Sequence, residues 1–172
     1  MASFTSANDI NYKKHDDYMT PKSAWEAIEK YIPKEKVIYE PFYGDGKSGE
    51  YLRELGCKNV IHKERVDFFN NEEVYEFILS NPPFSKSKEV MSHLAKLNKP
   101  FIMLMPLLKI NTSYFRENFK NKNLQILIPR KRIHFIKLVD GIMPEGWKNK
   151  TAYDCIYYCY KLGLPNDITW LE

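Results

Sequence analysis

The run Val74-Tyr75-Glu76-Phe77-Ile78-Leu79-Ser80-Asn81-Pro82-Pro83-Phe84 decides how this chain folds. Its first seven residues read as an apolar strand, and a helix-like stretch from Lys86 to Leu97 follows it. Asn-Pro-Pro-aromatic cannot continue regular structure. Each proline lacks an N–H, has a fixed φ and pushes the residue before it out of the α region. Asn81 to Phe84 is therefore expected to be a stiff, extended bracket at the C-terminal end of a strand. In open α/β sheets that edge is where ligands bind.

Outward from the bracket, strands and helices alternate. Thr20-Pro21 is expected to open a helix running to Tyr31, with Thr20 as N-cap and Pro21 at the first helical position. Trp25, Ile28 and Glu29 give that helix only a short apolar stripe. Lys36 to Glu40 reads as a strand, Gly49 to Leu55 as a helix ended by Gly56, and Asn59 to His62 as a second strand. Beyond the bracket's own helix come a buried strand from Phe101 to Met105 and a helix from Thr112 to Phe119. A strand from Leu124 to Ile128 and a long last strand from Ala152 to Tyr160 complete the pattern. The alternation predicts an α/β fold, with a mostly parallel sheet covered by helices on both faces. No repeat, low-complexity linker or composition shift marks a second domain. Residues 1–172 are expected to form one domain, with a polar leader (Met1 to Asp17) of which residues 1–15 are flexible or order on a ligand.

Composition sets limits. A chain of 172 residues can bury a real core in one domain. A net charge of +4 and a pI near 8.8 suit an anionic partner, although many ordinary proteins are as basic. Cys57, Cys155 and Cys159 form no CxxC pair, and the last two lie in an alternating run that makes them packed thiols. His15, His62, His93 and His134 show no zinc spacing, so no metal site is expected. There is no secretory h-region, and no apolar run approaches the ~18 residues of a membrane span. The expectation is a soluble protein of a reducing compartment, without membrane partners.

The bracket presents the amide of Asn81, the bare carbonyl of Pro82 and the ring of Phe84 to one space. That set suits a planar group carrying an exocyclic amine, whose nitrogen is a weak nucleophile because its lone pair is conjugated with the ring. Two acceptors, Asn81 Oδ1 and Pro82 C=O, can bind both amine hydrogens and free the lone pair. Phe84 can stack on the ring, a contact worth about 1–3 kcal/mol for a nucleobase. Taken alone, the four residues fit equally a turn that merely stops strand pairing.

A second segment, Tyr39-Glu40-Pro41-Phe42-Tyr43-Gly44-Asp45-Gly46-Lys47-Ser48-Gly49, narrows the choice. Two glycines between a strand and a helix let backbone approach a ligand over the strand end. Gly46-Lys47-Ser48 looks like the end of a P-loop, but Pro41 stands where that motif needs its first glycine. The Glu-Pro-Phe lead-in departs from the dinucleotide fingerprint as well. A glycine loop about forty residues before the bracket, in the same strand–helix register, makes both signals stronger.

With these two motifs the sequence resembles the S-adenosylmethionine-dependent methyltransferases that modify the N6 amine of adenine. Glu40-Pro41-Phe42-Tyr43-Gly44-Asp45-Gly46 is similar to their cofactor motif, and Asn81-Pro82-Pro83-Phe84 to their catalytic motif. Asp16-Asp17-Tyr18-Met19-Thr20-Pro21 looks like the segment that covers the methionine end of the cofactor. The nearest likeness is to compact enzymes of phages and large DNA viruses, in which Asp67-Phe68-Phe69 and Pro129-Arg130-Lys131-Arg132-Ile133-His134-Phe135 have counterparts. The resemblance covers most of residues 16 to 160. It implies a Rossmann-like class I methyltransferase sheet and a viral chain working in the cytoplasm of its host.

The same resemblance implies roles. Asn81, Pro82, Pro83 and Phe84 would be catalytic. Tyr18, Met19, Thr20, Glu40, Pro41, Phe42, Gly44 and Gly46 would hold the amino-acid and sulfonium end of S-adenosylmethionine. Glu64 would take the ribose hydroxyls, Asp67 the cofactor's adenine N6, and Phe68 would give its N–H or pack on the ring. A solvated, charged turn is the alternative for Glu64 and Asp67. Only about a dozen residues separate the second strand from the bracket's strand, so the usual third-strand region is expected to be reduced or absent. Lys86, Lys88, Arg130, Lys131 and Arg132 are candidate phosphate contacts. Tyr114, Trp147 and the Val139 to Lys150 loop could join them, whereas Phe115 and Tyr153 read as core. The expected partner is nucleic acid, DNA ahead of RNA. With no separate recognition domain, specificity would be short or borrowed from a second copy or another subunit. An RNA adenine methyltransferase, a glutamine-modifying relative and a nucleic-acid-binding pseudo-enzyme are the alternatives.

Overall fold

The computed structural model describes residues 18–137 and 153–172. In chain order they form β1 (Tyr18–Met19), α1 (Lys22–Glu26), β2 (Val37–Tyr39), α2 (Lys47–Glu54), β3 (Asn59–Ile61), β4 (Phe77–Ser80), α3 (Ser87–Leu97), β5 (Phe101–Pro106), α4 (Ser113–Phe119), β6 (Leu124–Ile128), β7 (Ile136–Lys137), β8 (Cys155–Tyr160) and β9 (Ile168–Trp170). The central sheet has seven strands in the order β3-β2-β4-β5-β8-β6-β9. Every pairing is parallel except those of β8, which runs antiparallel to both β5 and β6. This is the mostly parallel, Rossmann-like α/β sheet that was expected. The chain moves outward from β2 to β3, then returns to the other side of β2 as β4. The gap between the C-terminal ends of β2 and β4 is therefore the point where strand order reverses, and ligand crevices form there.

β4, β5 and β8 are buried at every residue, which their near-continuous apolar sequences require of strands covered on both faces. One face packs Ile38, Leu79, Ile102, Leu104 and Tyr157 against Trp25, Ile28 and Leu52. The other packs Tyr39, Ile78, Met103 and Tyr158 against Val90, Met91, Leu94 and Phe115. Outside β3 the described residues hold no further strand, so the third-strand region is missing rather than merely short.

Several local expectations are corrected. The helix expected from Thr20 to Tyr31 is only α1 followed by a 3-10 turn, Glu29–Tyr31. Pro21 is the N-cap, with no side-chain capping bond, because the Thr20 hydroxyl serves elsewhere. Burial holds this piece: Trp25 and Ile28 are wholly enclosed, and Trp25 Nε1 donates to Ser48 Oγ at 3.2 Å. Tyr153 is 43% exposed rather than core, since β8 begins only at Cys155. β1, β7 and β9 were not anticipated. β9 adds parallel to β6 because Gln125, buried in β6, donates to the carbonyls of Leu164 and Asn166 and accepts from Leu164 N. Residues 1–17 and 138–152 lie outside the described residues, and with them the leader and the Trp147 loop. None of the described helices is long and apolar enough to cross a membrane.

Candidate active site

Two loops leave the sheet side by side at the strand-reversal point. Residues 40–46 follow β2, and Asn81–Phe84 follow β4. In the first loop Gly44 and Gly46 have φ of +57° and +80°, a left-handed conformation that other residues adopt only under strain. A Cβ on Gly44 would lie 3.0 Å from Met19 Sδ, so the Tyr18–Thr20 segment closes directly on this loop. Asp45 Oδ1 accepts from Lys47 N at 3.1 Å and starts α2 immediately behind the glycines.

Glu40 joins the two loops. Its carboxyl is 2% exposed, and Oε1 accepts from Phe42 N at 3.0 Å and from the Ser80 hydroxyl. Burial pushes the carboxyl up to about 8, outweighing the lowering effect of those two donors. At neutral pH it is mostly protonated. The side chain braces β2 to β4 from inside. His62, the first residue past β3, props the same loop from the other side. Its Nδ1 lies 2.9 Å from the Glu40 carbonyl, its ring stacks on Tyr43 at 4.9 Å, and it fills the space beside Gly49. Burial pulls its pKa below the ordinary histidine value.

In the bracket, Asn81 Nδ2 donates to Thr20 Oγ1 at 2.9 Å. Asn81 Oδ1 is buried and accepts no hydrogen bond among the described residues. Buried polar atoms are almost always paired, so such an orphan acceptor calls for an explanation. Pro82 is buried, and the Pro83 carbonyl accepts from Lys86 N at 3.0 Å, turning the chain into α3. The half-buried ring of Phe84 meets Phe135 edge-on at 5.9 Å and Tyr153 at 5.4 Å. Phe135 is fully enclosed, so Phe84 is anchored on one side and flanked by an exposed tyrosine on the other.

β1 pairs antiparallel with β7, bringing Tyr18 opposite Lys137 and Met19 opposite Ile136. The expected covering segment therefore spans both loops: Met19 meets Gly44, and Thr20 meets Asn81.

The remaining candidates are less tightly held. Glu64 is exposed, beside Arg65 with a left-handed φ of 62°. Asp67 is exposed and turns the chain locally, accepting from Phe69 N at 2.9 Å. Phe68 is 3% exposed, its ring packed among Tyr39, Phe42, Phe69 and His93. Its ring is core, and its carbonyl accepts from Asn71 Nδ2 at 3.0 Å. Pro41 is buried, and Phe42 packs edge-on against Phe68 at 5.3 Å.

β6 runs in the same direction as β5, so Arg130, Lys131 and Arg132 emerge at the edge that carries the bracket. All three are exposed, as is Lys88 at the start of α3. Arg132 Nε lies 3.0 Å from Asp154 Oδ1, an ion pair that ties the cluster to the chain just before β8. Sequence reasoning missed Ser80, His62, His93 and Tyr153, because each acquires its role only from a neighbour distant in the chain.

No family model matches this chain, and neither does any curated protein. A crystal structure of a "putative methylase" from Haemophilus influenzae is similar over 81% of this chain and 93% of that one, at 14% identity and a TM-score of 0.42. At that identity and score it decides neither fold nor activity. The fold rests on the strand order and register above, and the chemistry on the geometry of the two loops.

Proposed function

We propose that this chain is an S-adenosylmethionine-dependent methyltransferase acting on the N6 amine of adenine in DNA. The carrying observation is Asn81 Oδ1, a buried acceptor without a partner at the strand-reversal point, one strand from a left-handed glycine loop. An exocyclic amine supplies the donor such an atom lacks. Asn81 Oδ1 and the Pro82 carbonyl would bind both amine hydrogens and hold the nitrogen with its lone pair free. Phe84, fixed by Phe135, would support the base face. The proton lost by the methylated nitrogen can leave to solvent, so the chain need not supply a base.

The residues present fit the cofactor. The loop turns through left-handed backbone at Gly44 and Gly46, which other residues rarely adopt, and Tyr18, Met19 and Thr20 would cover a bound amino-acid group there. Pro41, Phe42 and the Glu40 brace would shape that loop. Asp67 and the Phe68 main chain would meet the adenine end, and Glu64 the ribose. S-adenosylmethionine, when bound, supplies a methyl group carried on a sulfonium sulfur. Alignment of this kind contributes several kcal/mol, roughly 7–11 at best. A base in a duplex must first leave its stack, at a cost of a few kcal/mol. Exposed Arg130, Lys131 and Lys88 at the same edge, with Lys86 and Arg132, would hold backbone phosphates.

The test is incubation with methyl-labelled cofactor and DNA or RNA in parallel, followed by nucleoside analysis. N6-methyladenine should appear in DNA and vanish with Asn81→Ala. Label confined to RNA would move the substrate there. No label in either, with no cofactor binding by calorimetry, would leave a nucleic-acid-binding subunit instead.

A further inference from the structure

We propose that the free edge of β9 is a self-association surface, on which a second copy of this chain pairs antiparallel about a twofold axis beside Thr169. The proposal is independent of the methyl-transfer reading. β9 ends the seven-strand sheet, and among the described residues it pairs with β6 alone. Ile126 N donates to the Asp167 carbonyl at 2.8 Å and Leu171 N to the Ile128 carbonyl at 2.9 Å. Odd-numbered residues of β9 therefore turn their main chain towards β6. Main-chain direction alternates along a strand, so the N–H and C=O of Ile168 and Trp170 point out of the sheet. Such a row is a template for another strand, and edges that stay free are blunted by charge or proline. This one carries Ile168, 52% exposed, and Trp170, 74% exposed.

The edge is complementary to itself. Ile168 and Trp170 share the face of Ile126 and Ile128, which pack into the core beneath α3 and α4 while β9 stays outside it. With the axis beside Thr169, Ile168 of one copy stands opposite Trp170 of the other, twice over. Every outward main-chain group of the two residues then finds a partner, and each exposed tryptophan meets a β-branched side chain, a favourable cross-strand pair. Continued outward, this register sets Asp167 opposite Leu171 and Glu172 opposite Asn166, so no carboxylate faces another. An axis at Ile168 would set Trp170 against Asn166, and one at Trp170 would set Ile168 against Glu172. An unrelated strand could make the same main-chain bonds but would have to bring both apolar partners. A second copy already carries them in register. β9 runs in the direction of β4, so the Asn81 edges of the two copies point opposite ways and neither copy enters the other's site.

The test is analytical ultracentrifugation of the full 20.4 kDa chain from about 1 to 500 µM, a span suited to a small interface. Wild type should pass from monomer to twice that mass. Trp170→Glu should keep its melting temperature and weaken association at least about tenfold, the loss of one packed aromatic anchor. Leu108→Glu, at a position 81% exposed but off the edge, should associate as wild type does. Thr169→Cys reads the register, because opposite residues without mutual hydrogen bonds stand about 4.5 Å apart at Cα, within disulfide reach. Cys57, Cys155 and Cys159 are buried and do not compete. Mild oxidation should link Thr169→Cys copies and leave Ile168→Cys copies unlinked. A monomer at every concentration would overturn the proposal. So would a dimer indifferent to Trp170→Glu, or one that Thr169→Cys fails to link.

Discussion

The Asn81–Phe84 bracket and the segment from His62 to Asn71 leave the same edge of the sheet, two strands apart, and are held in opposite ways. The bracket is tied at Asn81, Pro83 and Phe84, and through Ser80 just before it. Ser80 reaches Glu40, Asn81 reaches Thr20, the Pro83 carbonyl takes Lys86 N, and Phe84 rests on Phe135. The other segment is held by His62 on the Glu40 carbonyl, by the buried Phe68, by Asn71 on the Asp67 and Phe68 carbonyls and by the Lys63–Glu73 ion pair, while Glu64 and Arg65 are exposed. On the proposed reading, the group that would meet the reacting atom is the one built from cross-braced, buried side chains. The group that would only grip a sugar is a solvated turn, so rigidity lies where misplacement would cost alignment most.

That contrast can be broken most forcefully at Asn81. Asn81→Ala should lower kcat at least about 1,000-fold, a loss of roughly 4 kcal/mol of transition-state stabilisation, while cofactor Kd measured by calorimetry stays within threefold. Retained turnover would put the chemistry elsewhere. Gly44→Ala attacks the neighbouring loop through its φ of +57° and its contact with Met19. It should cost about 1–2 kcal/mol of stability and weaken cofactor binding some tenfold, read by denaturant unfolding and calorimetry.

Glu40→Gln sharpens the comparison through pH. Between about 4.5 and 8 the folded chain keeps the Glu40 proton that the unfolded chain has lost. Stability from this group therefore falls as pH rises through that window and levels off above it. Glutamine can still accept from Phe42 N and Ser80 and has no proton to lose. The variant's melting temperature relative to wild type should thus climb from pH 5 to 8.5, and parallel curves would remove Glu40 as a buried protonated brace.

On the loose side effects should be small. Glu64→Ala should raise cofactor Kd only two- to fivefold, and a change beyond twentyfold would mean that the turn becomes a fixed ribose clamp on binding. Smallest of all is the phosphate edge. Arg130→Gln should reduce the salt slope of DNA binding by about 1, and Arg132→Gln by less, since its guanidinium is already shared with Asp154. Equal slopes for both variants would show that the ion pair yields to phosphate.

Much of this was readable along the chain because the signals are local. Prolines stop a strand wherever they stand, and glycines at Gly44 and Gly46 permit left-handed backbone in any context, so both loops and most elements were anticipated within a few residues. Leu124–Ile128 was anticipated to the residue. The helix expected after Thr20 ends at Glu26 and gives way to a 3-10 turn, and its N-cap is Pro21 while the Thr20 hydroxyl takes Asn81. Tyr153 reads as core within a strand expected from Ala152 to Tyr160, yet the strand starts two residues later and leaves the ring beside Phe84.

Order along the chain was enough to specify an α/β sheet, a bracket at one strand end and a glycine loop at another, because each depends on backbone preferences of adjacent residues. Folding alone settled how these pieces meet. Glu40 takes up Ser80 from the adjacent strand, Thr20 accepts from the Asn81 amide from 61 positions away, and Gln125 recruits a last strand. Each of these is a side-chain hydrogen bond between residues far apart in sequence, and its energy depends on a distance and a burial that exist only once the sheet has closed.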